Sequence, residues 1–142
     1  MTLLDTNVVS AVMAPSPPRA VIDWLNHAET ATLYLSTITI AEIGYGLWVL
    51  PDGKRRRSLE DRFHKFVAEG FEQRILVFDE RAAELYPEVM GRRRAKGRPL
   101  GSLDGQIASI ARAHELAVAT RNVRDFEECG LVVINPFEVD AR

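Results

Sequence analysis

The chain is predicted to fold as an α/β domain around a central, mainly parallel sheet of about five strands. Two observations carry this prediction. Five short apolar segments are distributed along the 142 residues, and longer segments with apolar residues at helical spacing separate most of them. Short apolar strands that alternate with amphipathic helices are typical of a parallel sheet covered by helices on both faces.

The first two strands and their helices are marked by an acid, prolines and apolar spacing. Thr2–Leu4 is a short strand, and Asp5-Thr6-Asn7 then begins a helix over residues 8–13. A cluster of prolines ends that helix, and Pro18 suits the first turn of a second one. Residues 33–35 supply the second strand.

The middle of the chain predicts helices around a third strand. Ser36, with Thr37 or Thr39, can cap a helix that places Glu42 near its start and stops before Pro51. The next elements follow from apolar spacing: a helix over 54–69, a strand over 75–78 and a helix over 80–96.

The last part of the chain predicts one more long helix and two strands. Ser102 can cap a helix that runs through His114 and has Asp104 in its first turn. The remaining elements are a strand over 116–119, a connection with one helical turn over 120–126, and a strand over 131–134. No repeat or domain boundary is visible, so residues 1–142 are predicted to form a single domain.

Composition limits the classes of protein. A net charge of −2 does not indicate a nucleic-acid binder, so any such contact would depend on local patches. Cys129 is the only cysteine, which fits a reducing compartment, and the scattered histidines do not form a zinc pattern. No apolar stretch reaches the ~18 residues of a membrane span, and Met1 leads directly into a predicted strand. We therefore expect a soluble, cytoplasmic protein.

Four acids lie at the mouths of predicted strand-to-helix units: Asp5, Glu42, Asp104 and Asp125. In open parallel sheets the reactive crevice lies beyond the carboxyl ends of the strands, so distant acids can converge there. Each acid alone is explained as a helix cap or first-turn residue. Their joint placement instead favours a site, and crowded carboxylates favour bound Mg²⁺ or Mn²⁺.

Four segments carry a family resemblance: residues 3–8, 36–43, 103–108 and 120–126, the last followed by 133–137. In this order they resemble the PIN-domain ribonucleases, and within them the VapC-type toxins of prokaryotic toxin–antitoxin pairs, especially the FitB-like branch. The resemblance implies a three-layer α/β/α PIN domain. It also implies an endoribonuclease that leaves 5′-phosphate and 3′-hydroxyl ends, forms a homodimer, and pairs with a VapB-like antitoxin that often presents an arginine to the acids.

Residue by residue, Asp5, Glu42 and Asp104 match the three principal acids of that family. The fourth position is Asn122 or Asp125, and Asp125 is preferred because it carries charge. Asp5 and Asp104 are expected to bind Mg²⁺ directly, with Glu42 and Asp125 acting through water or on a second ion. A metal-activated water would then attack the RNA phosphorus in line.

Further residues are candidates to support the acids or to contact RNA. Thr6 and Thr120 could orient carboxylates or a metal-bound water, or simply cap turns. A basic run lies at 54–57, and a second, preferred because it precedes Asp104, comprises Arg92, Arg93, Arg94, Lys96 and Arg98. A solvated helix face is the simpler reading of both runs.

The aromatic residues and the competing functions complete the expectations. Trp24, Tyr45, Trp48 and Phe63 are expected in the core rather than at an interface. One alternative function is a catalytically inactive PIN-like protein that acts through protein or nucleic-acid association. A haloacid-dehalogenase-like phosphatase would want an acid where Asn7 stands, and no nucleotide-binding glycine motif is present. The RNA target, the cleavage sequence and the number of ions stay open.

Overall fold

The protein forms a five-stranded sheet in the strand order β3-β2-β1-β4-β5, with every neighbouring pair parallel. A computed structural model describes residues 1–138; the predicted domain also includes 139–142, which lie outside the described residues. The strands are β1 (Thr2–Leu4), β2 (Leu33–Ser36), β3 (Ile75–Leu76), β4 (Ala117–Ala119) and β5 (Val133–Ile134).

Seven α-helices connect or follow these strands within residues 1–138. They are α1 (Thr6–Met13), α2 (Arg19–His27), α3 (Thr37–Trp48), α4 (Lys54–Gly70), α5 (Glu80–Ala95), α6 (Ser102–Ala113) and α7 (Val123–Phe126). A single 3₁₀ turn over Thr30–Thr32 precedes β2.

The two faces of β1 build the two halves of the core. Successive side chains of a strand point to opposite faces, and Leu3 and Leu4 are both fully buried. Leu3 belongs to a cluster with Ile107 of α6, whereas Leu4 packs in a second cluster with Val8 of α1. Helices therefore cover the sheet on both sides, which confirms the predicted three-layer α/β/α fold.

The predicted elements are present, with differences at their ends. The third, fourth and fifth strands are shorter than predicted, because only the residues that pair with a neighbouring strand are extended as strand. Ser36 is the cap of α3, and its hydroxyl accepts from the Thr39 N–H at 3.2 Å. Ser102 does not cap α6: Gly101 holds that position, without a side-chain hydrogen bond, and Ser102 begins the helix.

The aromatic residues divide between core and surface. Phe63 is buried, as expected, but Tyr45 and Trp48 are 71% and 68% exposed, so their assignment to the core was wrong. Val49 beside them is also exposed. We call Tyr45, Trp48 and Val49 the α3 apolar face; the Arg56 guanidinium of α4 lies 4.4 Å from the centre of the Trp48 ring, and the three side chains are still largely exposed.

None of the helices within residues 1–138 is both long enough and apolar enough to cross a membrane.

Candidate active site

A cleft of about 610 Å³ collects three of the four predicted acids. Asp5 directly follows β1, Glu42 lies on α3 after β2, and Asp104 is in the first turn of α6. All three line this cleft, together with Arg121 and Asn122, which follow β4. The acids therefore meet beyond the carboxyl ends of the central strands, where ligands bind in open parallel sheets.

Asp5 is the most firmly held of these acids. It is only 4% exposed, and its Oδ1 accepts from the Thr6 N–H at 2.8 Å, so that Asp5 caps α1. Its Oδ2 accepts from the Thr120 hydroxyl at 2.8 Å and from Asn7 Nδ2 at 3.2 Å. Asp5 thus caps α1 and also lines the cleft, so its role as a helix cap does not exclude a role in a site.

Thr6 connects Asp5 to Glu42. The Thr6 hydroxyl donates to Glu42 Oε1 at 2.8 Å and lies 3.1 Å from the hydroxyl of buried Thr39. The sequence predicted Glu42 near the start of its helix, and this was wrong. Because α3 begins at Thr37, Glu42 lies in the second turn. That depth brings its carboxylate level with the start of α1.

The acids of the cleft disfavour one another's ionisation. Burial raises the pKa of Asp5, opposed by the hydrogen bonds from Thr120 and Thr6, while the charges of Glu42 and Asp125 raise it further. Burial, and then the charges of Asp5, Asp125 and Glu42, raise the pKa of Asp104 to about 6. A cation that neutralises these carboxylates would relieve this cost.

The donor set fits a hydrated Mg²⁺ ion. The side chains offer carboxylate oxygens, which hard divalent cations prefer. Within residues 1–138, no group of three or more His, Cys, Asp or Glu side chains is arranged to hold an ion by itself. Mg²⁺ usually takes only one or two protein carboxylates and keeps several waters. Acids that do not form a complete ligand shell therefore suit Mg²⁺ better than a metal that needs all of its ligands from the protein.

Comparisons with known proteins place the chain in a family. A family model described as the PIN domain matches residues 2–130. The chain belongs to the PIN-domain family. The VapC ribonuclease Y4jK of Sinorhizobium fredii is 42% identical over 97% of this chain and 99% of the relative. Toxin FitB of Neisseria gonorrhoeae is 37% identical over 96% and 99%.

A solved structure agrees with these relatives. The crystal structure of FitAcB from Neisseria gonorrhoeae superposes with a TM-score of 0.92 at 37% identity, covering 98% of this chain and 100% of that chain. The resemblance read from the four sequence segments is therefore confirmed, and the fold is that of a PIN domain.

The two candidates for the fourth acidic position, Asn122 and Asp125, are placed differently relative to the cleft. Asn122 is exposed, lines the cleft, and donates its backbone N–H to the Thr120 hydroxyl at 3.0 Å. Asp125 on α7 is half-buried, and its charge raises the pKa of both Asp5 and Asp104. Asp125 therefore contributes to the electrostatics of the cleft, and Asn122 to its wall.

Most cations of the second basic run have hydrogen-bond or ion-pair partners within the protein. Arg93 is only 3% exposed and donates to the carbonyls of Arg124 and Glu127 at 2.9 and 3.0 Å, so it was wrongly predicted to contact RNA. Within the same run, three further cations have carboxylate partners: Arg92 with Glu88, Lys96 with Glu128, and Arg98 with Glu127. Arg94 is exposed.

Among the cleft residues that were not singled out as site candidates from the sequence, Asn7 and Arg121 make or adjoin the hydrogen bonds around Asp5. Asn7 donates to Asp5 and, at 3.1 Å, to the Thr120 hydroxyl, while its Oδ1 accepts from the Arg121 N–H at 3.0 Å. Arg121 lines the cleft. Both lie inside segments that carried the family resemblance, and an amide two residues after an acid was the available signal for Asn7.

Proposed function

We propose that this protein is a divalent-metal-dependent endoribonuclease and the toxin of a VapBC-type toxin–antitoxin pair. The observation that carries the proposal is the cleft in which Asp5, Glu42 and Asp104 meet. The names of the full-length relatives, a VapC ribonuclease and the toxin FitB, support the same reading. Asp5, Glu42, Asp104 and Asp125 are proposed as the catalytic acids.

Mg²⁺, or Mn²⁺ in its place, is the proposed ion. Asp5 and Asp104 would hold it directly, with Glu42 and Asp125 acting through water or on a second ion. When bound, a divalent cation activates a water and stabilises the charge that develops on a phosphoryl group during hydrolysis. The reaction adds water to the RNA phosphorus and releases the 3′-oxygen, which leaves 5′-phosphate and 3′-hydroxyl ends.

The residues around the acids would keep this site in one geometry. Three donors fix the Asp5 carboxylate, namely the Thr6 N–H, the Thr120 hydroxyl and Asn7 Nδ2. The Thr6 hydroxyl fixes one oxygen of Glu42. We propose that Thr6 and Thr120 act as positioning residues, because partners that orient ligating carboxylates typically change metal affinity or activity by 10–100-fold when they are lost.

Removal of the metal tests this proposal. Purified protein is expected to cleave a mixed pool of single-stranded RNA with Mg²⁺ or Mn²⁺ and to stop when EDTA is added, because the ion that would activate a water and stabilise the developing phosphoryl charge is then removed. Cleavage is followed on a gel, and excess Mg²⁺ added after EDTA should restore it. Cleavage that continues unchanged in EDTA would contradict the metal site. Absence of cleavage under every condition would favour the inactive, PIN-like binding protein.

We further propose that the protein has a VapB-like antitoxin partner and acts in the cytoplasm. A solved structure of FitAB bound to a DNA fragment superposes on this chain with a TM-score of 0.93 at 36% identity. An antitoxin arginine would be accommodated by the acidic cleft, which offers carboxylates to a cation. Co-purification with the product of a neighbouring reading frame, from the soluble fraction of cells, would test the partner and the location together.

The α3 apolar face is proposed to join two copies into a homodimer. A two-fold interface packs a patch against the same patch of its partner. Like charges close to the two-fold axis would repel each other, as the carboxylates of the cleft would if that surface formed the interface. Tyr45, Trp48 and Val49 carry no charge. Leu103 on α6 is also exposed and lines a hollow together with Tyr45, which extends the apolar area beyond one helix.

Substitution within this face is expected to separate the copies. Trp48→Ala should weaken dimerisation by about 30-fold, the effect of losing one central aromatic side chain of an interface. Sedimentation velocity over a concentration series measures it, and Val132→Ala, which alters another exposed apolar residue, is the control. A Trp48→Ala protein that dimerises like the Val132→Ala protein would rule out this face.

A further inference from the structure

Arg121 is the single Lys or Arg side chain among residues 1–138 that lines the acidic cleft. It stands immediately after Thr120, whose hydroxyl donates to Asp5 at 2.8 Å. An active site made of carboxylates repels the polyanion on which it is proposed to act, and a nearby cation offsets that repulsion. The acids alone do not explain why a cation lies in this cleft.

The backbone and the guanidinium of Arg121 are held separately. Its N–H donates to Asn7 Oδ1 at 3.0 Å, and the same Asn7 side chain donates to Asp5 at 3.2 Å. The guanidinium carbon lies 3.9 Å from the centre of the Phe137 ring, within the range of a cation–π contact. The first contact connects the Arg121 backbone to Asn7, which also holds Asp5, and the second keeps the guanidinium against the Phe137 ring.

The guanidinium is still available to a ligand. Within residues 1–138 no carboxylate oxygen lies within 4.0 Å of the Arg121 guanidinium nitrogens. Arg92 and Arg98 of the second basic run, by contrast, each have a carboxylate partner. Arg121 is also exposed. Its planar set of N–H donors matches two oxygens of one phosphate, and stacking on an aromatic ring leaves the donors at its edge free.

We propose that Arg121, backed by Phe137, binds a backbone phosphate of the RNA at the mouth of the acidic cleft. This inference rests on the proposed ribonuclease function and adds the residue that holds the substrate there. It moves the main RNA contact from the run at 92–98, where Arg93 is buried, to the loop after β4. Arg121 then contributes to substrate binding, while the acids contribute to the chemical step.

Binding of RNA without cleavage tests the inference. Affinity for a mixed-sequence, single-stranded RNA oligonucleotide is measured by fluorescence anisotropy in EDTA, over a range of salt concentrations. Arg121→Gln should weaken binding about tenfold and reduce the slope of log affinity against log salt by about 0.7, the value for one phosphate contact on a single strand. Arg121→Lys keeps the charge and should keep the slope while losing part of the affinity.

The control removes the same charge elsewhere. Arg81→Gln, an exposed residue at the start of α5 that lies outside the cleft and outside both basic runs, should leave both the affinity and the slope unchanged. Equal losses in Arg81→Gln and Arg121→Gln would overturn the inference, as would an unchanged slope in Arg121→Gln or no binding by the unaltered protein at low salt. Binding that depends on Arg121 in a protein that never cleaves RNA would contradict the proposed function but support this contact.

Discussion

Asp104→Asn is expected to lower metal-dependent RNA cleavage by at least about 100-fold, as found when a group that stabilises transition-state charge is removed. Asparagine keeps the size of the side chain but removes the charge that would hold a divalent cation. Asp104 lines the cleft with Asp5 and Glu42, and burial, followed by neighbouring acidic charges that include these two, raises its pKa. Initial rates on one RNA substrate at saturating Mg²⁺ measure the effect.

The stability of the same variant shows whether it is correctly folded. The pKa of Asp104 is about 6 in the folded protein, against an ordinary value of 3.8, so its ionised form opposes folding at neutral pH. In EDTA, Asp104→Asn should therefore be more stable than the unaltered protein above pH 6, by about 1–2 kcal/mol after allowance for partial solvent exposure. As the pH falls from about 6 to below 3.8, the unaltered protein regains this stability and the difference disappears.

Three outcomes are distinguishable. Lost cleavage with increased stability at pH 7 would agree with a folded protein that lacks one member of its acidic site. Lost cleavage together with decreased stability would indicate that misfolding causes the loss of activity. Full cleavage by Asp104→Asn would remove this residue from the catalytic set.

Arg93→Ala is expected to lower the free energy of unfolding by about 2–4 kcal/mol, because it leaves buried acceptors without their donor and opens a cavity. The Arg93 guanidinium donates to the carbonyls of Arg124 and Glu127 on either side of the end of α7. Since α7 carries Asp125, cleavage should also fall. Urea unfolding monitored by circular dichroism gives the change in stability.

Arg94→Ala is the matched control for Arg93→Ala. It removes the same charge from the adjacent, exposed position of α5, where substitutions usually change stability by less than about 0.5 kcal/mol. Unfolding midpoints that coincide for the two variants would show that burial of Arg93 contributes nothing measurable.

The placement of the acids was predictable because it follows from chain topology. Asp5 and Asp104 lie where a strand has ended or a helix has begun, and the parallel sheet brings those points to one edge. The depth of Glu42 within α3 was not predictable in the same way. It depends on which of three hydroxyl residues caps the helix, and the sequence left Ser36, Thr37 and Thr39 open.

The surface was harder to predict than the fold, because periodicity shows that a helix has an apolar face but not whether another element covers it. Phe63 and Trp48 both belong to such faces, yet one is buried and the other is exposed. Likewise, a run of arginines does not reveal that α7 packs over Arg93. Such contacts join residues far apart in the sequence, and local patterns do not contain them.

The pairing of β1 with β4 also has a consequence for the timing of assembly. Asp5 and Thr120 are hydrogen-bonded although they are 115 residues apart, and Asp5 N–H donates to the carbonyl of Ala119. A nascent chain that ends between Asp104 and Ala119 contains all three principal acids but lacks the two distant contacts of Asp5, although the local donors from Thr6 and Asn7 are already present. Completion of the cleft is therefore a late event in synthesis, and a growing chain carries its acids before it has a finished site.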